Sequence, residues 1–237
     1  MSATRVIESE WLDTLAADDP RALRSRRDLR RVNAWMLQAG IMAQALLRYP
    51  FAREPATIIE LGAGDGTFML RVAKRLAARW RNVRVVLVDQ QNLLHPATAR
   101  QFSALGWTVE AAKADVFAFL KSAAPASADI VSANLFLHHF APDALGVLLQ
   151  GAARLAPFFV ACEPRRGSLP LAASRCLWAI GCNDVSRHDA VASVRAGFAG
   201  DELSRLWPSD GAWNLEEKGK GLFTHCFVAR RNASEPQ

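Results

Sequence analysis

Between Thr57 and Leu70 the chain reads Thr-Ile-Ile-Glu-Leu-Gly-Ala-Gly-Asp-Gly-Thr-Phe-Met-Leu, and no other stretch restricts the possible folds as tightly. Thr57 to Leu61 is a β-branched and apolar run preceded by Pro55, the pattern of a short buried strand. Gly62, Gly64 and Gly66 then supply a tight turn, in which the backbone can take dihedrals closed to other residues and meet a ligand without a Cβ in the way. From Thr67 the period changes. Leu70, Ala73, Lys74 and Ala77, with Val72, Leu76 and Trp80 alongside, read as the helix that follows. A strand, a glycine turn and a helix start form a nucleotide-type pocket, because the loop amides and the helix N-terminus converge there.

The spacing separates the pocket types that share this geometry. A dinucleotide fingerprint, G-x-G-x-x-G, would put glycine or alanine at Thr67, and a phosphate-binding P-loop would need Gly-Lys-Ser/Thr, whereas no lysine precedes Lys74. What remains is acidic-x-Gly-x-Gly-x-Gly. Glu60-Leu61-Gly62-Ala63-Gly64-Asp65-Gly66 resembles the first motif of class I S-adenosylmethionine-dependent methyltransferases. The resemblance implies that Glu60, Gly62, Ala63, Gly64 and Gly66 meet that cofactor. A carboxylate suits such a ligand, which has a sulfonium and an amino group and no phosphate.

The remainder of the chain alternates in the way that predicts a doubly wound, mostly parallel α/β sheet. Strands are expected at 57–61, 84–88, 107–111, 129–134 and 158–163, with helices between them. Trp213 to Ala229 reads as two more strands around a glycine turn. This gives a seven-stranded, Rossmann-like methyltransferase fold closed by a C-terminal antiparallel hairpin, a feature of the class the first motif resembles. Residues 1–54 read as an N-terminal helical cap: a short helix at Trp11–Leu15, a second opened by Pro20, and a helical stretch to about Tyr49 with an interruption near Gly40. Residues 55–231 form the core, with a helical insertion at about 164–199 and a helix at Asp201–Leu206. Residues 232–237 are a tail.

Composition excludes little beyond disorder. The chain has 237 residues, 51% hydrophobic and 22% charged, which is globular. With no basic segment leading into an apolar core at the N-terminus, and no apolar run of transmembrane length, a soluble, cytoplasmic protein is expected. Cys162, Cys176, Cys182 and Cys226 show no C-x-x-C pair and no metal-ligand spacing with the histidines, so reduced thiols and no metal are expected. A net charge of +6 and a pI near 9.6 raise the question of nucleic acid. The charge crowds at Arg21, Arg24, Arg26, Arg27, Arg30 and Arg31, a run that more often forms a solvated helix face.

The resemblance assigns roles to five further residues. Asp89 stands where this fold places an acid for the two ribose hydroxyls, a role suited to an acceptor-only carboxylate; Gln90 comes next, beside the cofactor. Asp115 and Val116 correspond to the segment that meets the adenine, although Asp115 also reads as a helix N-cap before Phe117. Asn134 ends the fourth strand on the cofactor side.

The segment after Asn134 departs from the enzymes that methylate exocyclic amines or glutamine amides, which commonly carry Asn/Asp-Pro-Pro-aromatic there. The chain has Leu135-Phe136-Leu137 and lacks the Pro-Cys pair of cytosine-carbon enzymes, and both absences count against nucleic acid. Instead it has His138 and His139. A histidine near neutral pKa can take a proton from a hydroxyl as the oxygen attacks a sulfonium methyl. The other reading is that His138 is packed at a strand end and His139 starts a helix. Asp28-Leu29-Arg30-Arg31-Val32-Asn33, Leu137 to Phe140, Arg187-His188-Asp189 and Ser193-Val194-Arg195 together are similar to a bacterial group of small-molecule methyltransferases, several encoded beside polyketide genes. This implies a phenolic or related small-molecule substrate, O-methylation, a monomer or homodimer, and Arg30, Asn33, His188 and Arg195 as lining residues, for which surface salt bridges are the alternative. An RNA or protein methyltransferase using the arginine face, or a non-catalytic cofactor-binding module, are the competing functions.

Overall fold

The structure is a computed structural model that describes residues 4–16, 18–49, 51 and 53–232. Pro50 and Ala52 of the expected cap and the tail beyond Asn232 lie outside the described residues, as do the side chains of Arg30 and Asn33.

Five strands are parallel: β1 (Thr57–Leu61), β2 (Arg84–Asp89), β3 (Thr108–Lys113), β4 (Ile130–Asn134) and β5 (Phe158–Pro164). The hairpin β6 (Trp213–Lys220) and β7 (Thr224–Arg231) adds antiparallel to β5, giving the order β3-β2-β1-β4-β5-β7-β6. β1 lies inside the sheet, four of its five residues buried and Ile58, Ile59 and Leu61 apolar, while β3, half polar and largely exposed, forms an edge.

Side chains of a strand alternate between faces, so the sheet carries two apolar layers. Ile58, Val85, Val160 and Val228 pack with Met42 and Leu46 of α3 (Gln38–Arg48), Met69, Val72 and Leu76 of α4 (Thr67–Leu76) and Phe102 of α5 (Pro96–Ala104). Ile59, Val86, Phe159 and Phe227 pack with Leu120 of α6 (Val116–Ser122) and Leu148 and Leu149 of α7 (Pro142–Leu155). Leu76 is fully buried, and truncation to alanine there costs about 2–5 kcal/mol, from lost transfer energy and the cavity left behind.

The cap consists of α1 (Trp11–Thr14), α2 (Pro20–Trp35) and α3; the insertion holds α8 (Ser168–Arg175), a 3₁₀ turn at Leu177–Ile180 and α9 (Asp184–Ala196). Asp28 of α2 is buried against α9, accepting from the Asn183 amide at 3.0 Å and the Ser186 hydroxyl at 3.3 Å. Part of the arginine run is thereby engaged: Arg31 lies 3.9 Å from Asp28, and Arg24 donates to the Gly181 carbonyl at 3.3 Å.

Three local expectations are corrected. The cap helix breaks at Leu37, which takes φ 55°, and runs through Gly40. The break redirects the chain because α2 packs on α9 while α3 packs on α4. Strand three starts at Thr108, since Trp107 turns into the core and donates its indole N–H to the Trp80 carbonyl at 3.0 Å. Residues 201–206 form turns instead of a helix: the Glu217 carboxylate takes the Leu203 and Ser204 amides at 3.0 and 2.7 Å, fixing a single turn that does not propagate.

Among the described residues no helix is long and apolar enough to cross a membrane.

Candidate active site

The strand order reverses between β1 and β4, and a crevice opens there beyond the carboxyl ends of the strands. Glu60 lies under the glycine turn, 1% exposed, and its Oε2 has no hydrogen-bond partner. Burial, with Asp65 and Asp89 nearby, pushes its carboxyl well above the ordinary range. Gly62 has φ 66°, and a Cβ there would come within 2.1 Å of the Phe136 ring, so only glycine fits on both counts. The Ala63 amide donates to the Val88 carbonyl at 3.1 Å, tying the turn to β2. Asp65 receives the Thr67 amide and hydroxyl at 3.0 and 2.6 Å and so starts α4.

Asp89 ends β2 half-buried: Oδ2 accepts from the Gly64 amide at 2.9 Å and Oδ1 from the Gln91 amide at 2.8 Å. Each oxygen keeps a lone pair for a further donor. Asp115 caps α6, accepting from the Phe117 and Ala118 amides at 3.0 and 3.1 Å, while the Gln90 amide group reaches its other oxygen at 3.4 Å. A cavity of about 400 Å³ is lined by Gly62, Asp89, Gln90, Val116, Phe136 and His139, among others. Asn134, at the end of β4, has a buried Oδ1 without a partner.

A ligand with cationic and N–H donor groups fits this set of acceptors. Buried acceptors without partners are costly, and Glu60 Oε2 on β1 and Asn134 Oδ1 on the neighbouring β4 are two of them.

After β4 the chain makes a 3₁₀ turn over Leu137–His139, entered through Leu135 at φ 50°. Glu163 of β5, wholly buried, orders this turn: it accepts from the Phe136 and Leu137 amides, each at 3.0 Å, and from Nδ1 of His138 at 2.8 Å. His138 is 2% exposed, with Glu10 Oε1 3.4 Å from its Nε2. Burial works against its charge, but the Glu10 and Glu163 carboxylates outweigh it and raise its pKa to about 9. Arg5 clamps the same turn, donating to the His138 and Phe140 carbonyls at 3.0 Å each. His139 is half-buried, its ring 4.2 Å from that of His138, and it faces the cleft.

A second cavity of about 330 Å³ adjoins the first at Leu135, which lines both, and is otherwise walled by residues such as Val32, Met36, Leu177, Ile180 and Phe223. Ser193 is one of its few polar liners and donates to Glu10. His188 and Arg195 do not line this chamber. His188 stacks on Trp11 at 4.0 Å and bonds Asp189 at 2.9 Å, and Arg195 lies 3.4 Å from Glu8, so both hold the N-terminal segment.

Glu163, Glu10, Arg5 and Leu135 were not singled out by the sequence. A carboxylate ending an otherwise apolar strand could have flagged Glu163; nothing local marks the other three.

Residues 58–157 match the family described as "Methyltransferase domain". No curated protein sequence matches the chain. Among solved structures, an O-methyltransferase family protein from Burkholderia thailandensis is 20% identical with a TM-score of 0.58, over 92% of this chain and 62% of that one. A mitomycin 7-O-methyltransferase is 19% identical with a TM-score of 0.58, over 93% and 60%. Magnesium protoporphyrin IX methyltransferase from Synechocystis, solved with bound S-adenosylmethionine, is 10% identical with a TM-score of 0.53, over 94% and 88%. The chain thus spans 62% and 60% of the length of the first two. At these identities the likeness establishes the fold. Residues 58–157 thus match a methyltransferase domain, on a fold shared with S-adenosylmethionine-dependent methyltransferases.

Proposed function

We propose that the chain transfers the methyl group of S-adenosylmethionine to a hydroxyl of an apolar small molecule, a phenol being the acceptor class that suits the chamber best. The observation that carries this is the junction at Leu135: on one side lies a cleft lined by Gly62 of the glycine turn and by Asp89, on the other an apolar chamber of about 330 Å³. The cap (residues 1–54) and the insertion (164–199) then act as the acceptor's cover over a core at 55–231, since Val32 and Met36 come from the first and Leu177 and Ile180 from the second.

When bound, S-adenosylmethionine supplies a methyl carbon made electrophilic by its sulfonium. Glu60 and the Gly62-Ala63-Gly64-Asp65-Gly66 turn would hold the amino-acid end, Asp89 the ribose hydroxyls, Gln90, Asp115 and Val116 the adenine, with Asn134 at the floor. The apolar walls exclude water and fix the acceptor, and such positioning of two bound reactants supplies much of the acceleration of a substitution reaction. His139, half-buried and facing the cleft, takes the acceptor's proton. His138, buried between two carboxylates and protonated, cannot take a proton itself and holds the turn in place.

Calorimetry with S-adenosylhomocysteine and with NAD, followed by mass spectrometry of a phenol panel incubated with the cofactor, tests the proposal. Binding of S-adenosylhomocysteine alone and a methylated phenol are expected; NAD binding without it ends the reading.

A further inference from the structure

Glu10, His138 and His139 each offer one ligand atom, a carboxylate oxygen and two imidazole nitrogens, and these all lie within 4.8 Å of one another. Nε2 of His138 stands 3.4 Å from Oε1 of Glu10. That is long for a charge-assisted hydrogen bond, which runs about 2.7–2.9 Å. It is close to the edge of a tetrahedron whose corners are about 2.0–2.1 Å from a central zinc ion, roughly 3.4 Å. The opposite nitrogen, Nδ1, is engaged at 2.8 Å by Glu163. A carboxylate on the far nitrogen is the arrangement that fixes the tautomer and orientation of a metal-bound histidine. The other side is ordered too, since the Ser193 hydroxyl donates to the same Glu10 oxygen.

We infer that Glu10, His138 and His139 form a binding site for a divalent transition ion of the zinc type, with Glu163 and Ser193 orienting the ligands. Two imidazoles and one carboxylate suit zinc or cobalt, whereas magnesium and calcium favour all-oxygen sets. Three protein ligands leave a fourth position free, as in zinc sites open to an exogenous ligand. The ion would take the place that a proton fills between His138 and Glu10 in the metal-free protein. Sequence spacing could not show this, because Glu10 is 128 residues from His138. The ion would also occupy the lone pair of His139. If that lone pair takes the acceptor's proton, as in the proposed methyl transfer, zinc inhibits the reaction; this one consequence rests on that reading, and the site itself does not.

The probe is cobalt(II), titrated into the full chain after chelator treatment and dialysis, without cofactor or acceptor. Visible d–d bands of a four- or five-coordinate ion are expected, lost on adding zinc. Glu10→Gln and His139→Ala should weaken cobalt binding at least tenfold, and Glu163→Gln by about 10- to 100-fold as an orienting partner. Ser193→Ala, which removes no ligand and little volume, should give a smaller loss and guards against misreading an unfolded variant. Glu110→Gln, exposed on the edge strand β3, should change nothing. Bands that survive Glu10→Gln, or that vanish when exposed Cys176 is replaced by serine, overturn the site. A zinc-loaded enzyme that keeps full activity while the bands follow the Glu10 and His139 variants supports the site and defeats His139 as the base, so the two failures are told apart.

Discussion

Glu163 and His138, 25 residues apart in sequence, meet at 2.8 Å in the interior, and the carboxylate that orients this ring also gathers the two preceding backbone amides. One side chain on β5 thus sets the conformation of the turn leaving β4. A buried carboxylate that accepts several N–H groups stabilises a turn more than a neutral group does, because each of these hydrogen bonds is charge-assisted.

Glu163→Gln keeps one acceptor oxygen and turns an amide N–H₂ toward the Nδ1 proton of His138. The expected loss is about 1.5–3 kcal/mol, the scale of hydrogen bonds to a charged group. Urea unfolding should show a lower midpoint at unchanged slope. An unchanged midpoint would mean that Arg5, which grips the same turn from the N-terminal segment, suffices to hold it.

Glu60 gives a pH dependence of defined sign. Its carboxyl is raised in the folded protein above 4.5, its ordinary value in an unfolded chain. Its protonated form therefore favours folding: this stability is fully present below 4.5 and is lost as pH rises through the elevated folded value. Glu60→Gln does not titrate. In the cofactor-free state the variant should match wild type in melting temperature below pH 4.5 and exceed it by a margin that grows with pH. It should bind S-adenosylhomocysteine more weakly. A margin that stays flat with pH would show that Glu60 is not the strained group.

Asp89→Ala should weaken S-adenosylhomocysteine by about 1.5–3 kcal/mol while the fold survives. Asp89 also receives the Gly64 amide, so alanine frees the turn as well as the ligand. Asp89→Asn can retain one backbone bond and should fall between wild type and alanine. Calorimetry decides, and wild-type affinity in the alanine variant would remove Asp89 from the site.

The parts of this molecule written in local sequence are those whose physics is local. Thr57–Leu61 and Thr67–Leu76 fall where the β-branched run, the glycines and the change of period put them, and the terminal hairpin forms around its glycine turn. The break at Leu37 could not be read, because a leucine at positive φ is unfavourable in itself and is held there by the packing of α2 on α9 and of α3 on α4. Nor could the turns at 201–206, whose amides are taken by Glu217 from a later strand. In the site, the glycine turn and Asp89 were visible as a pattern. The Glu10, His138 and Glu163 constellation was not, because it joins residues from the cap, from the turn after β4 and from β5 that come together only on folding.

The two histidines should separate cleanly by kinetics. His139 faces the cleft and can meet an acceptor; His138 is enclosed and hydrogen-bonded on both nitrogens. A phenol with pKa near 10 is mostly neutral at pH 7, so a base in contact with it should contribute about 10²–10⁴ in rate. His139→Ala is therefore expected to lower kcat in that range with S-adenosylhomocysteine affinity nearly unchanged, and the loss should shrink as pH rises and the acceptor ionises unaided. His138→Ala should behave differently, since it leaves the Glu10 and Glu163 carboxylates facing one another without the cation between them. Removing one partner from a buried ionic cluster costs about 3–5 kcal/mol, so this variant should lose stability first, with any fall in kcat persisting at high pH. Single-turnover rates of both variants across pH 6–10, beside their unfolding midpoints, check the assignment. A pH-independent defect in His139→Ala, or its full activity on a phenolic acceptor at neutral pH, would leave the proton without a protein base and make alignment the whole of the catalysis.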